Sequence, residues 1–396
     1  MKLRCTLIAL ALILSACNIS VTSFPATSEP GQPVVPPTEI PPTPYPDTPT
    51  PSPIDAPRVD SPALVEIHFL NELEGWGVTE AQIVRTNDGG TTWYNVTPPD
   101  LTETGSTVAT FFLDTGNAWV QKPDFNNFPN NGLLYHTADG GLHWSVASTP
   151  FSGGDLSFID ATNGWMLADL GVGAGSNGVS VFQTMDGGAT WTQTYTNDPN
   201  LPNAGDSLPL GGIKSGLVPL NMQTAWVTGV TYASGTAYLF RTDDGGHSWK
   251  QVKLELPAGA ENFELSIDKN ETKIFSSKDG FLVVRMSGEA TQTAVYVTHD
   301  GGDTWTLTPT LIPNAGPSAF LSAQDAVLYN GQQFYVTRDA ARTWTTVSPN
   351  IVFGDSFAGM DFVSLTTGWV ITVDASNRRS LYRTNDGGAT WSPTTP

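Results

Sequence analysis

Cysteine is nearly absent from this chain of 396 residues: Cys5 and Cys17 are the only two, both near the start. The rest of the sequence therefore folds without disulfides or a thiolate metal centre. Charge is scarce as well, at 14% of residues, against about 25% in an average soluble domain. Basic charge is scarcest: 18 Lys and Arg stand against 38 Asp and Glu, a formal net charge of −20. A field of that sign repels phosphate backbones, which excludes nucleic acid as a partner. It equally opposes attachment to anionic lipid by charge alone. The histidines (His68, His136, His143, His247 and His299) show no His-x-His or His-Glu-x-x-His spacing, so neither a metal nor another cofactor is expected. Helix-forming residues are too few for a bundle. What is abundant is turn chemistry, with 39 Gly and 30 Pro, together with 12 Trp. Turn residues between short apolar runs predict an all-β protein.

The first residues carry Lys2 and Arg4, then an apolar run from Leu7 to Leu14, then Leu14-Ser15-Ala16-Cys17. The run is too short for a permanent membrane helix but suits the core of a signal peptide. Leu-Ser-Ala-Cys resembles the lipobox of bacterial lipoproteins, which implies cleavage after residue 16 and lipid attachment at Cys17. Export to the outer side of a bacterial membrane, periplasmic or at the cell surface, follows from that resemblance. From Pro25 to Pro57, thirteen of thirty-three residues are proline. Such a stretch cannot bury a core and is expected to be extended and disordered, with polyproline II as its main local conformation. Residues 17–62 read as a lipid-anchored Pro/Thr-rich tether and residues 63–396 as the folded domain.

That domain is periodic. Seven segments read Thr-x-Asp-x-x-x-x-Trp, with the carboxylates Asp88, Asp139, Asp186, Asp244, Asp300, Asp339 and Asp386. The matching tryptophans are Trp93, Trp144, Trp191, Trp249, Trp305, Trp344 and Trp391. Before each comes a second pair at constant spacing: Phe69/Trp76, Phe112/Trp119, Phe158/Trp165, Pro219/Trp226, Ile274/Phe281, Phe320/Val327 and Phe362/Trp369. Each repeat thus offers four short strands, in the first repeat near residues 64–70, 76–79, 82–86 and 92–97. Seven such repeats predict a seven-bladed β-propeller of four-stranded antiparallel blades.

The Thr-x-Asp-Gly-Gly-x-Thr-Trp segment resembles the Asp-box, or bacterial neuraminidase repeat, which in that family forms the hairpin between third and fourth strands. A carboxylate in a tight turn accepts backbone N–H groups, glycines supply positive φ, and the Trp packs between sheets. The sixth copy has Asp339-Ala340-Ala341 in place of Asp-Gly-Gly, so a rearranged or strained turn is expected there. The constant spacings place the first–second and third–fourth turns on one side, and the variable connections on the other. Function is expected on that variable side, whose longest loops are Gln121–Gly132, Asp169–Gly178, Tyr195–Lys214 and Lys253–Thr272. Phe125 and Phe128 stand in otherwise polar sequence and are the candidate partner-binding residues.

No convergent catalytic set emerges, and the chain reads as non-enzymatic. The seven box carboxylates recur once per repeat and cannot meet at one ion or substrate. Arg85, Arg241 and Arg383 each precede a box Thr, but near the box end, away from the expected working face of a sialidase. Gly205-Asp206-Ser207-Leu208 matches the short nucleophile motif of GDSL-type esterases only by letter. The loop acids Asp100, Asp124, Asp155, Asp198 and Asp206 offer no selected pair for glycoside hydrolysis. Overall the chain resembles the single seven-bladed exported propellers related to the photosystem II assembly/stability factor, non-enzymatic scaffolds that hold a partner during membrane-complex assembly. The resemblance implies envelope or membrane proteins as partners. The alternative from the same repeat is a carbohydrate-binding or glycoside-hydrolase (sialidase-like) propeller with a glycan ligand.

Overall fold

The computed structural model describes residues 53–314 and 316–394; the signal segment, Cys17 and nearly all of the Pro-rich stretch lie outside the described residues. Each repeat folds into four antiparallel strands paired in sequence order. In the first these are Glu66–Phe69, Gly75–Val78, Ile83–Thr86 and Trp93–Asn95, with Arg58–Val59 added at the outer edge. That outermost pairing draws residues read as tether into the sheet. Repeats two, three, six and seven form separate four-stranded sheets. Repeats four and five are joined into one sheet, because an extra strand, Glu264–Ser266, pairs with Ala225–Thr231 on one side and Gly280–Ser287 on the other. Two expected loops are therefore partly regular structure. Lys253–Thr272 carries this bridging strand, and Asp169–Gly178 is the tip of a long hairpin, Gly164–Gly173 with Ser176–Thr184.

The middle strands are buried along their whole length, as in Gly75–Val78 and Ala326–Tyr329, so each sheet has two faces to bury, and the core is correspondingly divided. It consists of wedges, each between one repeat and the next. Trp76, Val78 and Ile83 pack on Phe112, Ala118 and Val120; Trp165, Leu167 and Val181 pack on Leu217, Val227 and Phe240. The paired markers meet inside these wedges. Trp119 stacks on Phe158 with centroids 3.7 Å apart, Trp76 on Phe112 at 5.1 Å, and Phe281 on Phe320 at 5.1 Å. The same contact joins the last repeat to the first, where Trp369 stacks on Phe69 at 3.5 Å and 3°. Trp369 Nε1 also donates to the Gly89 carbonyl, and Phe69 N–H donates to Asp361 at 2.6 Å. First and last repeats are thus joined through side chains, no strand of one pairing with a strand of the other among the described residues.

Arg85, Arg241 and Arg383 lie over Trp76, Trp226 and Trp369, 5.0 to 5.4 Å from the ring centroids, and His136 stacks on Trp119. Arg85 reaches on to the Gly140 carbonyl of the next box, and Arg241 to Asp303. The three arginines therefore clamp separate wedges and do not converge.

All seven box hairpins share three bonds: the box Thr hydroxyl donates to the Asp, the N–H two residues after the Asp donates back to that hydroxyl, and the N–H four residues after the Asp donates to its carboxylate. In repeat three, Thr184 donates to Asp186, Gly188 N–H donates back to the Thr184 hydroxyl, and Thr190 gives both N–H and O–H to Asp186. Gly187 N–H then donates to the Thr162 carbonyl in the first–second turn. The equivalent bond from the other boxes, such as Gly89 to Leu73 and Gly387 to Thr366, places both sets of constant turns on one side.

The sixth hairpin keeps this geometry. Ala340 N–H donates to Gln324, Ala341 N–H to Thr337, and Thr343 to Asp339. The expected rearrangement does not occur, but the strain does: Ala340 and Ala341 sit at φ 57° and 60°, where a Cβ costs about 1–2 kcal/mol per residue. Both methyls pack in the fifth–sixth wedge, which returns about 0.8 kcal/mol per buried carbon. Replacing both alanines by glycine is expected to raise thermal stability slightly, by no more than about 2 kcal/mol. The reverse change at Gly301, where an added methyl would lie 2.5 Å from the Ser277 carbonyl, is expected to lower stability by more than about 1 kcal/mol. Calorimetric melting of the variants decides both.

Candidate functional site: variable face and central channel

On the variable side, Asp124 turns the 124–131 loop by accepting from Asn126 N–H and Asn127 Nδ2, while Ser152 N–H donates to the Pro129 carbonyl. This pinned loop leaves Phe125 72% and Phe128 44% exposed. Phe128 approaches Gly171, next to the exposed Val172 at the tip of the third-repeat hairpin. Gly175, in the turn of that hairpin, lies against the ring of Tyr232, which is 63% exposed. The result is an apolar ridge running across repeats two, three and four: Phe125, Phe128, Val172 and Tyr232. The sequence pointed to the two phenylalanines. It missed Val172 and Tyr232, whose only signal was an apolar residue at a hairpin tip.

A channel of about 1070 Å³ runs inside the inner strands, and Val172 also lines it. Its wall is set by the two-residue period of those strands. The marker residue of each strand turns into a wedge, so the residue before it faces the centre. These central positions are His68, Phe111, Ser157, Val218 and Lys273, all lining the channel, with Ala319 and Asp361 in register in repeats six and seven. The residue after each marker has the same parity and is apolar in every repeat: Leu70, Leu113, Ile159, Leu220, Phe275, Leu321 and Val363, each half-buried. Leu113 and Ile159 of this set also line the channel, and all seven pack against the wedges between repeats. Toward the variable side the next groups are Glu66, Asp155 and Lys269.

These polar groups divide into committed and uncommitted ones. Asp155 ion-pairs with Lys269 and accepts from Leu217 N–H at 2.7 Å. Glu271 pairs with Arg285, and burial raises its carboxyl to about 7 against that attraction. Lys214 is buried, with Nζ held by the carbonyls of Asn177, Leu210 and Gly212; desolvation lowers it to about 8. Glu66 has one long contact, 3.4 Å from Thr110, and burial raises its carboxyl. Desolvation by the channel wall, then repulsion from Lys273, lowers His68 to about 4, although the ring remains open to solvent in the channel. Asp361, at the junction of the last and first repeats, is pushed up to about 7 by burial, with Phe69 N–H and Lys273 opposing.

Of the loop acids, Asp155 faces the channel, whereas Asp124 and Asp198 accept hydrogen bonds within their own loops. Ser207 donates no proton to a histidine; its hydroxyl accepts from Trp249 N–H. Among the described residues no group of three or more His, Cys, Asp and Glu is placed to hold a metal ion.

Sheets of four antiparallel strands, packed face to face around a central channel, define a β-propeller. The same fold occurs in a structure of YCF48 bound to a D1 peptide, with a TM-score of 0.52 and 16% identity, covering 84% of this chain and 98% of that one. It occurs also in the GH74 xyloglucanase of Xanthomonas campestris, with a TM-score of 0.56 and 14% identity over 84% of this chain. This chain spans about half of that enzyme, 54% of its length. No protein-family model matches the sequence, and no curated protein matches it. At these identities the likeness is one of fold.

Asp361 gives the junction of the last and first repeats a measurable pH signature. Its folded-state pKa lies above the unfolded value, so the folded state binds the extra proton between about pH 4 and pH 7. The contribution is fully present below the unfolded pKa and is lost as pH rises through about 7. Asp361→Asn is expected to flatten that part of the stability curve, measured by urea unfolding at fixed pH values. A decline as steep as in the wild type would place the titration elsewhere.

Proposed function

We propose that this protein is a seven-bladed β-propeller that works as a non-enzymatic binding scaffold for an envelope or membrane protein. It would be exported and held to the outer side of a bacterial membrane by lipid on Cys17, with the Pro-rich segment as tether. The observation that carries the reading is the exposed ridge of Phe125, Phe128, Val172 and Tyr232 on the variable face. Rigid aromatic side chains that are already exposed bury large areas at little entropic cost when a partner covers them. The fold shared with YCF48, seen with a bound D1 peptide, supports protein binding as something this architecture performs. The box carboxylates are occupied within their own hairpins. The Thr390 hydroxyl, then the Thr390 N–H, hold the Asp386 carboxyl below its usual range. Glycan binding is the second reading, favoured by the same exposed rings, which suit stacking on sugar faces, and by the fold shared with a xyloglucanase.

Replacing Phe125, Phe128 and Tyr232 together with Ser is expected to weaken capture of a membrane-protein partner by about tenfold or more, each anchor being worth over about 1 kcal/mol. Melting temperature should stay near wild type. Asp186→Ala and Trp191→Ala should do the opposite. The first leaves turn N–H groups unmet, at about 1–3 kcal/mol; the second opens a wedge, at about 3–5 kcal/mol. Both should keep affinity when binding is measured well below the melting point. Loss of binding in Asp186→Ala at unchanged stability would reverse the assignment of faces. Turnover of sialyl or xyloglucan substrates that disappears with one channel or loop carboxylate would replace the scaffold by an enzyme. Wild-type protein should stay with membranes after a salt wash, and Cys17→Ser should not; freely secreted wild type starting beyond Cys17 would reject the anchor.

A further inference from the structure

A propeller leaves an outer strand on every repeat, and an outer strand presents unpaired N–H and C=O groups to any extended chain. Among the described residues, all but one of these edges are covered or blunted. On repeat one, Arg58–Val59 pairs with Trp93–Asn95. On repeat three, residues 203–205 lie along the outer strand, with Thr196 N–H donating to the Asn203 carbonyl and Gly205 N–H to the Thr196 carbonyl. The outer strand of repeat five, Thr306–Pro313, carries Pro309 and a break in register. Those of repeats four, six and seven are two or three residues long: Lys250–Gln251, Thr345–Val347 and Ser392–Pro393. Repeat two differs. Its outer strand, Ser145–Thr149, has five residues with no charge and no proline, and pairs with Gly132–Thr137 in unbroken register. No strand lies on its other side among the described residues.

Repeat one shows which backbone groups such an edge leaves free. There Asn95 N–H donates outward to the Pro57 carbonyl, whereas Val96 N–H donates inward to Ile83. Repeat two keeps that register, Ser145 lying opposite His136 as Tyr94 lies opposite Arg85. The N–H and C=O groups of Val146 and Ser148 therefore turn outward. Side chains alternate as well. Tyr135, opposite Val146, packs in the wedge with repeat one, so Val146 and Leu133 lie on that side of the sheet. They are 58% and 36% exposed. We propose that this edge is a strand-addition site, which takes an extended cationic segment of a partner protein as a fifth strand. Extension follows from free backbone groups at alternate residues, and apolar side chains at every second position follow from Val146 and Leu133. Cationic charge follows from the field of a protein at −20 and from Asp139 ahead of the strand, whose side chain is partly exposed. Lys122 lies two strands in from the edge. A second copy of this chain, with the same negative charge, is opposed by the same field. The site does not rest on the scaffold reading, which concerns the exposed ridge.

The test is fluorescence anisotropy and amide hydrogen exchange of the purified protein with a short blocked peptide of alternating threonine and valine, ending in lysine on both sides. The peptide is expected to bind. Exchange of the Val146 and Ser148 amides should slow, while that of Ala147, already paired with Leu134, should not change. Glutamate in place of the terminal lysines should weaken binding by at least about tenfold. Val146→Lys, at an exposed side chain, should also weaken it by at least about tenfold with an unchanged melting temperature. Thr346→Lys, on the outer strand of repeat six, should bind as wild type does. No binding of the lysine peptide, equal binding of its glutamate counterpart, undiminished binding in Val146→Lys, or unslowed exchange at Val146 and Ser148 at saturation would each overturn the proposal. So would a protein dimer in sedimentation that Val146→Lys dissolves, since a second copy would then hold the edge. Replacing Phe125, Phe128 and Tyr232 with Ser should leave peptide binding unchanged, which keeps failure of this site distinct from failure of the ridge.

Discussion

The contact on which everything else depends is the aromatic wedge between neighbouring repeats. A four-stranded sheet of short strands cannot bury both faces by itself, and here the second-strand Trp of one repeat supplies what the first-strand Phe of the next requires. Stacks such as Trp119 on Phe158 and Trp369 on Phe69 are worth about 0.5–1.5 kcal/mol each beyond the area they bury. Their larger effect is geometric. The same pair at the same spacing fixes the same step from repeat to repeat, and repetition of that step brings the last repeat against the first.

The Asp-box hairpin secures the wedge from outside. Its second glycine must come close to the preceding repeat. A methyl on Gly188 would lie 2.3 Å from Leu134, and one on Gly302 would lie 2.5 Å from Trp226. The box Trp drops into the gap, and in five repeats its Nε1 donates to that glycine's carbonyl. Carboxylate, hydroxyl and glycine thus form one device for holding a Trp at a sheet boundary. The sixth repeat shows that its hydrogen bonds outweigh the backbone cost of two alanines.

A frame specified this heavily leaves the other side free to vary. The loops there obey no common length, and one of them, between repeats four and five, has become a strand that ties two sheets together. Exposed apolar side chains gather on this side across three repeats, and the channel beneath them is lined by inner-strand residues, some of them, such as Phe111 and Leu217, shared with the wedges. Chemistry is therefore found where the repeat constraint is weakest: on the hairpin tips and at the strand positions that face the centre.

The sequence by itself determined the strand count per repeat, the wedge partners and the shared side of the constant turns. Those features rest on local spacing, which recurs seven times and averages out local noise. The parity of the channel positions was also present, since alternation fixes that His68 and Lys273 face away from Phe69 and Ile274. Only the tertiary structure decided what those positions meet. Lys269 finds Asp155, 114 residues away, across the channel, and Phe69 finds Asp361, 292 residues away, where the last repeat meets the first; the fold brings together residues with no sequence relation. The same holds for the ridge. Phe128, Val172 and Tyr232 belong to three repeats with different loop lengths, and their proximity follows from how far each hairpin projects.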